Sequence, residues 1–206
     1  MIELFVSTLI TLFVVIDPPG CAPIFAGLTA AASPEHRRAM AIRAVVVSGL
    51  ILLLFAAFGE GLLHGLGIDL ASFRIAGGIL LFLIALEMVF ERRTQRREDR
   101  AAKVQEDHEE DDVSIFPMAM PMIAGPGSIA TVMLLGSRNP GTAAHLVVLA
   151  AMATILLLTL ASLLASGALM RLLGKKVEAV ITRLLGVLLA ALAAQFVIDG
   201  VKASFA

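Results

Sequence analysis

Six stretches of this 206-residue chain are continuously apolar, over roughly 3–32, 44–63, 72–90, 114–137, 144–170 and 179–201. A helix rises ~1.5 Å per residue, so about 20 apolar residues carry it across a ~30 Å hydrocarbon layer. Lipid offers no partner to a bare peptide group, so a spanning segment is either a helix or a strand of a closed barrel. None of the six alternates with period two. The chain is therefore expected to be an all-α polytopic membrane protein with six transmembrane helices.

Composition agrees. Hydrophobic residues make up 59% of the chain and charged residues 16%, against ~45–50% and ~25% in a soluble domain. Fifteen of the 33 charged residues fall within 91–112, leaving the remainder too apolar for a wetted shell. One Cys and four His exclude a disulfide framework and a Cys/His zinc cluster, so neither a metal site nor a cofactor is expected. A net charge of −1 without a basic stripe among aromatics argues against nucleic acid as a partner. The partners expected are membrane lipid and a small-molecule substrate.

The first apolar run has no preceding Lys or Arg and no small-residue cleavage site, so it reads as a span and not as a removable signal. Thirteen of the 16 basic residues lie in the first, third and fifth connections. That bias places those connections in the cytoplasm and both termini outside, in a bacterial inner membrane. The mixed-charge stretch 91–113 reads as a flexible, solvated linker between a first repeat, 1–90, and a second, 114–206. Trp and Tyr are absent, which leaves Phe73, Phe90, Phe116 and flanking arginines as interfacial anchors.

The two halves share landmarks. Pro18-Pro19-Gly20 returns as Gly125-Pro126-Gly127 and the 62–67 stretch as 169–174, both at an offset of 107. Arg74-Ile75-Ala76-Gly77 returns as Arg183-Leu184-Leu185-Gly186 at an offset of 109. Three spans per copy is an odd number, so the second copy enters from the opposite face. The result is a 3+3 inverted-topology repeat, an architecture typical of secondary transporters with a site near the midplane. The plain alternative is an old duplication kept for packing.

Both copies interrupt their first helix. Asp17-Pro18-Pro19-Gly20-Cys21-Ala22-Pro23 lies inside the first run, and Pro117, Pro121 and Ala124-Gly125-Pro126-Gly127-Ser128 inside the fourth. Proline in a helix interior costs ~3 kcal/mol through a lost donor and a clash, so helices 1 and 4 are expected to be discontinuous. A break exposes up to four N–H groups at one new end and four carbonyls at the other, tolerable in lipid only around a cavity or with partners. The restarting ends near Gly20 and Gly127 suit a substrate carboxylate. Freed carbonyls with Asp17 suit an ammonium or a coupling cation, proton or sodium. Ser128 and Thr131, one helical turn apart, point hydroxyls to the same place. The competing reading is a proline kink filled by packing.

These motifs carry a resemblance. FPMAMPMIAGPGSIA at 116–130, DPPGCAPIF at 17–25, FRIAGG at 73–78, GALMRLLGK at 167–175 and QFVIDG at 195–200 are similar to the MarC family essentially end to end, outside the charged linker. The chain carries Asp17 where many relatives have asparagine. The resemblance implies a six-helix inner-membrane protein, an inverted-repeat fold related to the LysE-type exporters, and, through SnatA-type members, transport of small neutral amino acids such as glycine and alanine.

The candidate substrate-binding residues are thus Asp17, Pro18, Pro19, Gly20, Cys21, Pro23, Ala124, Gly125, Pro126, Gly127, Ser128 and Thr131; no catalytic residue is expected. A buried carboxylate such as Asp17 either binds an ammonium, a cation or a proton, or caps the restarting helix. Arg74 and Arg183 are possible gates, pairing with acids such as Asp69 or Glu178, or else interfacial snorkels. Gly77, Gly78 and Gly186 allow close helix crossing. Gln195 either donates into the cavity or joins helices. A drug exporter needs a large aromatic cavity, an intramembrane enzyme lacks a GxGD or HExxH motif, and a channel has no reason for two gates. A carrier driven by an ion or solute gradient fits best, since no Walker loop is present.

Overall fold

The computed structural model describes residues 1–93, 95–97, 99, 112–139 and 141–205, with the side chains of 170–176 and 178 left out. All regular structure among the described residues is helical: α1 (Ile2–Ile16), α2 (Pro18–Leu28), α3 (Pro34–Gly65), α4 (Leu70–Val89), a kinked, irregular α5 (Ser114–Ile123), α6 (Pro126–Arg138), α7 (Thr142–Leu164) and α8 (Ser166–Ser204). Among the described residues, five apolar helical runs are long enough to cross a membrane, with α1 and α2 counted as one. A sixth is α5 with α6, if that pair, bent by 51°, forms a single span.

Two boundaries differ from those expected. The fifth span ends at Leu164 and not near 170, and the basic stretch that follows is not a loop. It belongs to the 39-residue α8. Charge alone does not end a helix; proline does, and 166–204 contains none. At α3 the reverse holds: Pro34 occupies the first turn and Ser33 Oγ accepts from the His36 amide, starting the helix ten residues before its apolar part.

The broken rods occupy the centre. One apolar cluster joins Leu12, Ile16 and Phe25 to Met40 and Leu52 of α3 and Ile155 of α7. A second joins Val14 and Val15 to Leu81 and Met88 of α4 and Phe196 of α8. Helix α6 contributes Val132 to the first cluster and Leu134 to the second. Helices α1 and α6 therefore lie between an α3/α7 side and an α4/α8 side. Burial follows this order: 56% of the spanning window in Ile2–Leu28 is inside the protein, against 28% in each of α3, α4 and the end of α8. Leu53, Leu54, Phe58, Ile79, Leu157 and Leu188 remain exposed, an apolar surface suited to lipid contact.

Helices α4 and α8 pack antiparallel along their length through glycines. A Cβ on Gly78 would lie 2.7 Å from Val197 Cγ2 and 2.9 Å from the Ala193 carbonyl oxygen. One on Gly200 would lie 2.9 Å from the Ala71 carbonyl oxygen, and Gly186 faces Met88 at 2.9 Å. Backbone cannot yield as a side chain can, so Gly78→Ala is expected to destabilise the protein by about 1–3 kcal/mol. Gly27→Ala, where a Cβ meets nothing within 4 Å, is expected to be neutral or stabilising. Thermal unfolding midpoints of the two variants in detergent check this.

Candidate functional site

The first break follows from hydrogen-bond supply. Helical amides serve the carbonyl four residues back, but Pro18 and Pro19 have no N–H for the carbonyls of Val14 and Val15. Asp17 takes a left-handed conformation (φ 58°, ψ 65°), which Asp tolerates better than most residues. Its Oδ1 accepts from the Gly20 amide at 3.1 Å and caps α2. Glycine is needed at position 20 because a Cβ there would collide with that carboxylate. The Gly20 amide is thereby diverted from the Ile16 carbonyl, leaving the end of α1 short of donors.

One donor is local, the Cys21 thiol on the Ile16 carbonyl at 3.5 Å; the others come from the connection after α4. Arg93 Nη2 donates to the Val15 carbonyl at 2.6 Å, and Arg97 Nη2 to the Ile16 carbonyl at 3.5 Å. Arg97 Nη1 also pairs with Asp17 Oδ2 at 3.3 Å, with both side chains buried. The expectation of a flexible, solvated linker is therefore corrected for its first residues. Helical residues 92, 93 and 95–97 fold back as an arm, because the exposed carbonyls and the buried carboxylate attract guanidinium groups. The rest of the stretch, 100–111, lies outside the described residues. Burial, and next to it the Arg97 charge, pushes the Arg93 guanidinium down to about 10, so it stays cationic at neutral pH.

The second break has the opposite polarity. Non-helical Phe116 and Met120 precede Pro117 and Pro121 in α5. Gly125 then starts α6 without a side-chain cap, and Pro126 occupies its first turn. The amides of Gly127 and Ser128 find no acceptor among the described residues. This is the electropositive end of a helix.

The breaks meet. A Cβ on Gly127 would stand 3.6 Å from Val15 Cγ1 and 2.5 Å from Ile84 Cδ1. Beside this contact lies a cavity of about 280 Å³. Its walls are Val15 of α1; Leu80, Leu83, Ile84 and Glu87 of α4; Arg93, Arg96 and Arg97 of the arm; and Pro121, Met122 and Gly125–Ser128 of the second break. Arg96 is ion-paired with Glu87 at the exposed rim.

Of the sequence candidates, Gly125, Pro126, Gly127 and Ser128 line this cavity. Asp17 sits behind Arg97. Pro18, Pro19, Gly20, Cys21, Pro23 and Ala124 are not in its walls; the prolines and Gly20 shape the breaks, while Cys21 and Ala124 are wholly buried. The shared aim expected of Ser128 and Thr131 is corrected. Thr131 is fully buried and its hydroxyl donates to the Gly127 carbonyl at 2.7 Å, because that carbonyl one turn back is its nearest acceptor.

The gate pairings also differ. Arg74 bonds the Ser137 carbonyl at 3.0 Å instead of Asp69, since the last carbonyls of α6 lack helical donors. Arg183 pairs with Glu91 at 2.6 Å; the Glu178 side chain lies outside the described residues, as does most of the 169–174 landmark. Gln195 donates to Asp199 at 2.7 Å, and Asp199 pairs with Arg138. Sequence reasoning missed Glu87 because it lies close to the interface, and Arg93, Arg96 and Arg97 because it counted the arginines as topogenic charge and interfacial anchors. The signal was their spacing: 93 and 97 are four apart and share one helical face.

A multi-pass membrane protein built around two facing helix breaks is the class that this fold and cavity define. The profile of the "MarC family integral membrane protein" matches residues 2–205. The chain is 34% identical over 199 residues to a UPF0056 membrane protein of Archaeoglobus fulgidus, covering 97% of this chain and 92% of that one. It is 34% identical to YvbG of Bacillus subtilis over 205 residues (100% and 97%) and to the inner membrane protein YhgN of Escherichia coli K12 over 200 residues (96% and 95%). No solved structure matches. The chain belongs to the MarC family of integral membrane proteins.

Removing one partner of a buried ion pair strands the other charge, at a cost of about 3–5 kcal/mol. Asp17→Ala and Arg97→Ala are each expected to lower stability by about that amount, and the double variant by clearly less than their sum. A double-mutant cycle of unfolding free energies reads the coupling.

Proposed function

We propose that the protein is a secondary carrier of small neutral amino acids, glycine and alanine first, working by alternating access in the inner membrane of the cell. The observation that carries this reading is the cavity where the two helix breaks meet. Broken helices around a central cavity are how carriers present peptide dipoles to a solute within lipid. The volume of about 280 Å³ falls just below the ~300–1,000 Å³ of sites for drug-sized ligands. With no Trp or Tyr in the chain, bulky amphipathic drugs have little to stack on.

The fold supports the same reading. The antiparallel α4–α8 pair has the relation expected of third spans in two inverted repeats. At the end of α6 away from the cavity, Arg74–Ser137 and Arg138–Asp199 tie the helices together. The arginine arm occupies the other end. These two sets of ties are the natural inner and outer gates, with a proton or sodium gradient as the driving force. The similarity to YhgN, an inner membrane protein, supports the location.

Proteoliposomes loaded with unlabelled glycine are expected to accumulate labelled glycine by counterflow, with alanine substituting and phenylalanine not. Steady ionic conductance would indicate a channel, and the absence of any glycine exchange would sink the reading. Gly127→Leu pushes Ile84 into the cavity and is expected to cut counterflow by roughly tenfold or more.

A further inference from the structure

The polar groups facing the cavity are unevenly matched. Three guanidinium groups and two unused amides look onto it, against a single carboxylate, Glu87, which Arg96 already holds. Arg93 is occupied by the Val15 carbonyl and the Met88 sulfur at 2.6 and 2.9 Å. Arg97 is not well served: its bonds to Asp17 and Ile16 measure 3.3 and 3.5 Å. A tight N⁺–H···O⁻ bond measures ~2.7–2.9 Å, and a guanidinium has five donors to place. Asp17 spends one oxygen on the Gly20 amide and meets Arg97 with the other.

We propose that the cavity recognises the solute's carboxylate through Arg97 with the amides of Gly127 and Ser128, and that Asp17, which Arg97 screens from the cavity, becomes the partner of the solute's ammonium as Arg97 turns to the carboxylate. The Asp17–Arg97 pair holds the place of the ligand: an entering zwitterion gives its carboxylate to Arg97 and its ammonium to Asp17, exchanging one ion pair for two. This inference rests on the amino acid carrier reading and names the groups that select the substrate. It also accounts for neutral amino acids as the class. A zwitterion leaves the buried charge balance unchanged, whereas a simple amine or a simple acid leaves one charge uncompensated in a poorly solvated site.

Equilibrium binding to the purified full chain in detergent tests this, with labelled glycine and labelled acetate as probes. Alanine is expected to compete with glycine, and glycinamide, which lacks the carboxylate, is not. Arg97→Lys removes the planar fork and is expected to weaken glycine binding roughly ten- to hundredfold. Arg92→Gln, exposed and outside the cavity walls, leaves it unchanged. Asp17→Asn is expected to act in opposite directions, tightening acetate because Arg97 loses its internal competitor and weakening glycine. A purely structural role for Asp17 would move both probes the same way and overturn the assignment. Thermal midpoints establish that each variant is folded, and Arg97→Lys keeps the charge where Arg97→Gln fails to fold. Glycine bound without regard to Arg97, or displaced by glycinamide, overturns the proposal and leaves the carrier reading standing. Acetate bound through Arg97 with no glycine binding defeats the amino acid reading and keeps the carboxylate site. Binding of neither defeats both.

Discussion

Peptide groups that have lost their helical partners inside the protein are the constraint on which the rest of the structure turns. Pro18 and Pro19 withhold two amides from the end of α1, and Asp17 draws off a third by capping α2. A buried carbonyl without a donor costs on the order of 1–3 kcal/mol, so the fold must bring donors from elsewhere. It brings Arg93 and Arg97, beside the local Cys21 thiol on the Ile16 carbonyl. Their arrival sets the position of the arm, makes the cavity wall cationic and neutralises Asp17 in one arrangement. At the second break the exposed groups are amides, and nothing among the described residues meets them. One elbow is thus closed by the protein itself, and the other remains open beside it.

This asymmetry is instructive because the two halves of the chain carry related motifs. The prolines and glycines recur at matching places, yet the first break retains a carboxylate and its counter-charge, whereas the second retains bare donors. Two identical breaks would offer a solute the same group twice. In the proposed carrier, two different ones would offer an anion partner and a cation partner. The glycine-lined α4–α8 contact holds the outer wall together through close backbone approach, an economical way to join helices where lipid provides no hydrophobic drive between them.

Much of this was legible in the residues. The six apolar runs, the absence of period-two alternation, both proline-glycine interruptions and the packing role of Gly78 and Gly186 can be read directly, because each depends on local chemistry: length, missing N–H groups and missing side chains. Boundaries were less accessible where a charged stretch lacked proline, as in 166–178, since solvated charge and helix are compatible. The candidate site was half visible. Gly125 to Ser128 line the cavity as their motif predicts, while Ala124 and Thr131 adjoin them only along the chain and Cys21 adjoins only the first break. Thr131 shows why proximity fails: a hydroxyl satisfied by its own helix has no reason to turn outward.

The sequence by itself determined that the chain lives in lipid and that its first and fourth apolar runs break at proline and glycine. Those are properties of single residues and their immediate neighbours. Which end of the helix dipole each break leaves exposed was decided by the fold, through the Asp17 cap on α2 and the bare start of α6. Only the tertiary structure decided that the breaks meet at Val15 and Gly127, that the arginine connection turns back to serve them, and that Asp17 faces Arg97 across 80 positions of chain. Such pairings are long-range. They are selected by which donors can reach a stranded carbonyl or carboxylate once the helices have packed, and no local pattern encodes that reach.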